Sequence, residues 1–235
     1  MRYAFYFSPE PDTELARCGA SWLGRDAVTG VAVEHPELDG LGADQLAAIT
    51  APARRYGFHA TLKAPFRLAD DMNEAGLVGA MRDFAAATCG FDLPLLTVAN
   101  LGGFVALVPD KASAGLQAFV DAVVASFEPY RAPLSEADIV RRNPDRLAPE
   151  ERDYLMRWGY PYVFDRFRFH MTLSRQLDQP DLDRVCEAAT AYFAKALAQP
   201  VAINALSLFV EPDPGAPFQL HTRVRLAPTE KRKTA

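Results

Sequence analysis

The chain has 235 residues, 49% of them hydrophobic and 23% charged, with a formal net charge of −5. This is enough apolar material for one large core, or for one domain built from two similar lobes, and it excludes a chain disordered along its length. The acid excess excludes a broad basic surface for long nucleic acid but leaves room for a local basic pocket around one phosphate.

Arg2 to Phe7 alternates and predicts a strand. Pro9 and Glu10 end this apolar start before it reaches the length of a signal segment, and no stretch approaches a membrane span. Asp12 to Leu23 predicts a helix capped by Asp12 or Thr13. A Gly- and Pro-bearing stretch to about Arg55 holds a short helix near Ala43 to Ala48. Tyr56 to Phe66 predicts a strand ended by Pro65. A helix from about Asn73 to Thr88 follows, then strands Pro94 to Val98 and Phe104 to Val108, joined by the turn Asn100-Leu101-Gly102-Gly103. Ala112 to Phe127 predicts a helix.

Residues 130–161 carry Pro133, Pro144 and Pro149 and two short helical stretches, and read as a helical insert. Its two readings are a cap over a cleft and a packing decoration. Phe164 to Ser174 predicts a second strand with a histidine, followed by a helix from Asp181 to Leu197 and strands Val201 to Val210 and Phe218 to Leu226. The order of histidine strand, helix and hairpin therefore occurs twice. His59 to Phe104 is 45 positions and His170 to Phe218 is 48. The similar steps point to an internal duplication: one domain, 1–235, of two lobes with motif strands near 56–66 and 164–174. Lys231 to Ala235 reads as a frayed, solvated end.

Cys18, Cys89 and Cys186 are widely spaced and lack a C-x-x-C pair, which fits buried, reduced thiols in a cytoplasmic protein rather than a disulfide framework or zinc ribbon. No His-x-His-x-Asp or His-Glu-x-x-His string offers a catalytic metal its ligands. Neither G-x-x-x-x-G-K-[ST] nor G-x-G-x-x-G appears. The expectation is an enzyme without metal or cofactor.

Its chemistry is written in His59-Ala60-Thr61-Leu62 and again in His170-Met171-Thr172-Leu173. Residues two apart on a strand share a face. His59, Thr61 and Lys63 are thus expected on one side, and Arg168, His170, Thr172 and Ser174 on one side of the second copy. Imidazole titrates near neutrality, so one ring can take a proton from water while the other gives one to a leaving oxygen. A threonine hydroxyl two residues on can donate to a phosphate oxygen. His59, His170, Thr61 and Thr172 are the candidate catalytic set.

Lys63 and Arg168 are candidates to hold phosphate oxygens, or else ordinary surface charges. Tyr56, Tyr6 and Tyr3 either line the cleft and stack on a base or simply pack. Arg54 and Arg55 read as a charged loop or as groups that meet substrate, Arg141 and Arg142 most simply as a solvated helix end and otherwise as groups that reach a phosphate, and His35 and His221 as ordinary residues outside the motif.

The paired His-x-Thr-hydrophobic strands resemble the two-histidine phosphoesterase superfamily. The longer strings Arg55 to Phe66, Trp158 to Phe164 and Phe167 to Leu173 resemble a branch found with bacterial phosphonate-utilisation genes. The resemblance runs over nearly the whole chain. It implies an α+β, duplicated two-lobed fold with mainly antiparallel sheets facing a central cleft and helices outside. It also implies metal-independent hydrolysis of a small cyclic phosphodiester, a ribose or nucleotide cyclic phosphate, with His59 and His170 as acid–base pair and Thr61 and Thr172 on the phosphate. The gap of 111 residues between the histidines is longer than in compact members, because of the insert. The competing reading is a non-catalytic module holding a nucleotide or RNA end on the same fold.

Overall fold

A computed structural model describes residues 1–228; the tail reading at Lys231 to Ala235 lies outside them. The strands are β1 (Arg2–Phe7), β2 (Ala60–Phe66), β3 (Phe91–Asp92), β4 (Leu96–Asn100), β5 (Val105–Pro109), β6 (Met171–Thr172), β7 (Ala202–Ile203), β8 (Ala205–Glu211) and β9 (Gln219–Arg225). The helices are α1 (Glu14–Leu23), α2 (Ala43–Arg54), α3 (Glu74–Ala87), α4 (Ala114–Ser126), α5 (Glu136–Arg141), α6 (Pro149–Trp158) and α7 (Gln179–Phe193).

One antiparallel sheet runs in the order β4-β5-β6-β2-β1-β8-β9, with β3 and β7 paired separately. The motif strands β2 and β6 are neighbours near its centre. The first half's hairpin, β4–β5, lies against the second half's motif strand, and the second half's hairpin lies against β1. Strand alternation gives the sheet two different faces. Tyr3, Phe5 and Phe7 of β1 join Leu62 and Phe66 of β2, Val105 and Leu107 of β5, Met171 and Leu208 in the main core. On that face α4 packs on β2, α3 on β8 and β9, and α7 on β4 and β5. Ala4 and Tyr6 face the other way, with Phe209 and Phe218 in a smaller cluster.

Local chemistry explains most element ends. Thr13, Asn73, Ser113 and Ser135 each cap a helix by accepting a backbone N–H three residues on. Helix α2 runs on to Arg54, beyond the expected stop at Ala48, and Pro52 lies within it. Its last turn is held by Arg54, whose guanidinium donates to the carbonyls of Leu23 at 2.6 Å and Ala47 at 2.8 Å. The hairpin turn is as read: Gly102 and Gly103 take positive φ, and Asn100 Oδ1 accepts from the Gly103 N–H at 2.8 Å.

Both motif strands are shorter than expected. The first begins at Ala60, because Gly57 turns the chain with φ of 78°. The second is only Met171–Thr172; Phe164–Arg166 forms a 3-10 turn, with Phe164 at φ of 53°. The thiols also differ from expectation: Cys89 is exposed and Cys18 and Cys186 are half-buried, all three free. Among the described residues no helix is long and apolar enough to cross a membrane.

Candidate active site

Strands β2 and β6 pair antiparallel with Ala60 opposite Met171. Extending that register by one residue each way sets His59 across from Thr172 and Thr61 across from His170. The two motifs are thus related by an approximate two-fold axis through the Ala60–Met171 pair. Ala60 and Met171 are fully buried beneath it, while all four motif side chains are half-buried on the opposite face. Facing residues on adjacent strands lie roughly 5 Å apart. One histidine and one threonine from each half therefore surround one small space.

The two rings are tethered alike. His59 Nδ1 lies 2.8 Å from the Gly57 carbonyl, and His170 Nδ1 lies 2.8 Å from the Arg168 carbonyl. In each case Nδ1–H donates to the carbonyl two residues back, which frees Nε2 for chemistry. This tether also explains why each strand starts only after its histidine. His59 Nε2 lies 3.2 Å from Thr61 Oγ1. Tyr6, itself 1% exposed, stacks on the His59 ring with centroids 3.8 Å apart. Burial, with a smaller push from His170, lowers the His59 pKa to about 4, against the bond to Gly57 that raises it. His59 is therefore neutral at neutral pH, with its Nε2 lone pair available. Phe104 meets His170 edge-on at 5.9 Å.

Two cavities meet at the motifs. One, of about 340 Å³, is lined by His59, Thr61, Thr172, Tyr6, Arg2 and Arg142 among others. The second, of about 520 Å³, is lined by Thr61 and His170 with Phe104, Tyr160, Tyr162 and Arg168. Thr61 and Tyr160 belong to both walls.

His59, His170, Thr61 and Thr172 are thus brought together. Arg168, exposed, lines the cavity on the His170 side. Tyr56 and Tyr6 line the His59 side, but the face of Tyr6 is taken by the imidazole, and Tyr56 stacks on Phe218 at 5.2 Å. Lys63 is a correction. The β1–β2 register slips between Tyr6↔Thr61 and Phe5↔Lys63, so β2 has one extra residue there. A bulge of this kind changes which side the next residue faces. Lys63 accordingly shares the side of Phe5, is 4% exposed, and gives its ammonium to Glu128 at 2.7 Å and the Val124 carbonyl at 3.1 Å. Ser174 is likewise buried away from the cleft, accepting from the Val105 N–H at 2.9 Å. Tyr3 lies in the main core and donates to Glu74 at 2.9 Å.

Arg54 and Arg55 are structural: Arg54 holds α2, and Arg55 pairs with Glu211. His35 sits by the Trp22 carbonyl and His221 by Glu74, both outside the motif. Arg2, Tyr160 and the insert's Arg141 and Arg142 also form cavity wall; the sequence reading assigns Arg2 and Tyr160 no role, and puts a phosphate contact for the two insert arginines behind a solvated helix end. The only local signal was the string Trp158-Gly159-Tyr160; the arginines look like any solvated helix end until the insert is folded over the sheet. Among the described residues, no group of three or more His, Cys, Asp or Glu side chains is placed to hold a metal ion.

Comparison with known proteins gives a family match over residues 61–219, well over half of the chain, to a family described as protein of unknown function (DUF1045). A curated relative from Janthinobacterium sp. (strain Marseille), named ribose 1,5-bisphosphate phosphokinase PhnN, is 41% identical over 221 residues, covering 92% of this chain and 49% of the relative. A protein of the same name from Laribacter hongkongensis (strain HLHK9) is 39% identical over 221 residues, covering 94% and 50%. The chain spans about half the length of these curated relatives. Among solved structures, that of E. coli LigT complexed with 3'-AMP is similar with a TM-score of 0.45 and 14% identity, covering 96% of this chain and 97% of the other. A structure described as a phosphoesterase gives a TM-score of 0.40 and 16% identity, covering 96% and 98%.

Proposed function

The chain belongs to the DUF1045 family, and for this member we propose hydrolysis of a small cyclic phosphodiester by paired histidines, in the manner of the two-histidine phosphoesterases. The observation that carries this reading is the Ala60–Met171 register, which sets two His-x-Thr motifs face to face about one space. In the proposed reaction, neutral His59 takes a proton from water through Nε2. The water oxygen forms a bond to phosphorus as the ring P–O bond breaks. His170 gives the proton on its Nε2 to the departing oxygen, leaving a phosphate monoester. Thr61 and Thr172 donate hydrogen bonds to the non-bridging oxygens as charge builds there. Acid–base work by two imidazoles with two hydroxyl donors accounts for the step with this chain's own residues.

The substrate we favour is a ribose cyclic phosphate, in phosphonate utilisation. The sequence resemblance supports it, and so does the ribose phosphate in the name of the relatives. The kinase in that name we assign to the half of those longer proteins that this chain does not span, since neither glycine-rich phosphate loop occurs here.

The test is incubation of EDTA-treated protein with 2′,3′-cyclic nucleotides and ribose 1,2-cyclic phosphates, read by phosphorus NMR, beside His59→Ala and His170→Ala. Ring opening by the wild type and by neither variant is the expected result. Binding of these ligands with no turnover would instead make the chain a non-catalytic module.

A further inference from the structure

The insert places Arg142 in the wall of the His59 cavity, and the charge around it does not balance. Arg2 and Arg55 share Glu211, and Arg67 and Arg141 share Asp138. Arg142 has no carboxylate in reach among the described residues. Its guanidinium lies over the Tyr160 ring at 4.8 Å and is drawn from water, burial being the first cause of its lowered pKa. A cation removed from water without a counter-ion is unfavourable unless a ligand supplies one. The 340 Å³ cavity it lines carries Arg2, Arg141 and Arg142 and no acidic residue on its wall.

In the proposed reaction the scissile phosphate lies between the two histidines, where Thr61 and Thr172 meet its single negative charge. Arg142 lines the cavity of His59 and not that of His170. It also borders the adjoining recess beside Pro65 and Arg67, whose wall does not include His170. The chain continues into this corner by design of the local backbone: α5 ends at Arg141, and Asn143 takes a left-handed φ of 50°, which halts the helix and leaves Arg142 facing the cleft.

We propose that Arg142 is a specificity residue for a second anionic group: the substrate is a pentose cyclic phosphate that carries a phosphate monoester besides the ring that is opened. This rests on the phosphodiesterase reading for the scissile group. The fork of a guanidinium suits a terminal phosphate, which accepts two parallel hydrogen bonds.

The test is calorimetric binding of ribose 1,2-cyclic phosphate and of its 5-phosphorylated form to the His170→Ala protein, which keeps both ligands intact. Arg142→Gln and Arg142→Lys are then added to that background. We expect the phosphorylated ligand to bind more tightly by at least about tenfold, the order of one charge-assisted pair. Arg142→Gln should bring the ratio close to one while moving the unphosphorylated ligand by less than about threefold, and Arg142→Lys should keep part of it. Equal binding of the two ligands, or an equal loss of both in Arg142→Gln, overturns the proposal. Turnover of the pair by the wild type is read separately. A preserved binding preference without ring opening would remove the hydrolase reading and leave the second anion site standing.

Discussion

At the scale of residues, the candidate site presents two rings held the same way and surrounded differently. Both give Nδ1–H to the carbonyl two residues back, so both present Nε2. His59 is pressed under the Tyr6 ring at 3.8 Å and its pKa is pushed down to about 4, while His170 meets Phe104 edge-on. Loss of either imidazole should lower kcat/KM by about 10²–10⁴-fold. Thr61→Ala and Thr172→Ala should each lower kcat, by up to about 10²–10³-fold if the hydroxyl acts mainly in the transition state. Steady-state kinetics on the cyclic phosphodiester substrate reads both.

The His59 environment also sets a pH limit. As the proposed base must be neutral, the acid limb of kcat/KM is expected near pH 4, and a limb at the ordinary histidine value would show that His59 is not the base. The stability consequence has a definite sign. A depressed folded pKa means that the unfolded chain binds the proton first, so stability is full above about 6.5 and is lost as pH falls towards 4. Urea midpoints for wild type and His59→Ala between pH 7 and 4 should converge on the acid side.

At the scale of elements, strand β2 decides which side chains enter the site. Its extra residue between Thr61 and Lys63 sends the lysine to the helix side, where Glu128 meets it. Lys63→Met should therefore leave turnover close to wild type, since it removes both the charge and the need for a partner. Glu128→Ala should destabilise the fold by about 3–5 kcal/mol, because it leaves a buried ammonium without its carboxylate. Thermal denaturation of the two variants, with activity on the same samples, distinguishes this placement from a role on phosphate.

Gly57 is the other decisive point of this segment. Its φ of 78° disfavours a side chain, and a Cβ there would stand 2.2 Å from the Ala27 Cβ. Its carbonyl also holds His59. Gly57→Ala should cost stability, on the order of 1–3 kcal/mol, and should lower kcat as the tether shifts.

At the scale of the molecule, the two halves are interlaced rather than set side by side. Strand β6 lies between β5 and β2, both from the first half, and β1 lies between β2 and β8. The Trp22 indole in α1 donates to the Leu173 carbonyl at 2.9 Å, a further tie across the halves. Neither half completes its part of the sheet alone. Urea unfolding should therefore give one transition, coincident by fluorescence and far-ultraviolet circular dichroism; two separated transitions would show that the halves fold independently.

What the sequence determined by itself is what depends on neighbours along the chain. The motif repeat, the order of strands and helices, the caps and the Gly102–Gly103 turn are local in origin, set by alternation, capping side chains and backbone preference. Tertiary structure decided whatever depends on pairing. The alternation that correctly put His59 beside Thr61 put Lys63 there too, and only the β1–β2 register reveals the bulge that turns it away. The same holds for Arg142. It becomes part of the site because a segment more than eighty residues from His59 folds across the open face of the sheet, where removal from water gives one arginine a character that its local sequence does not encode.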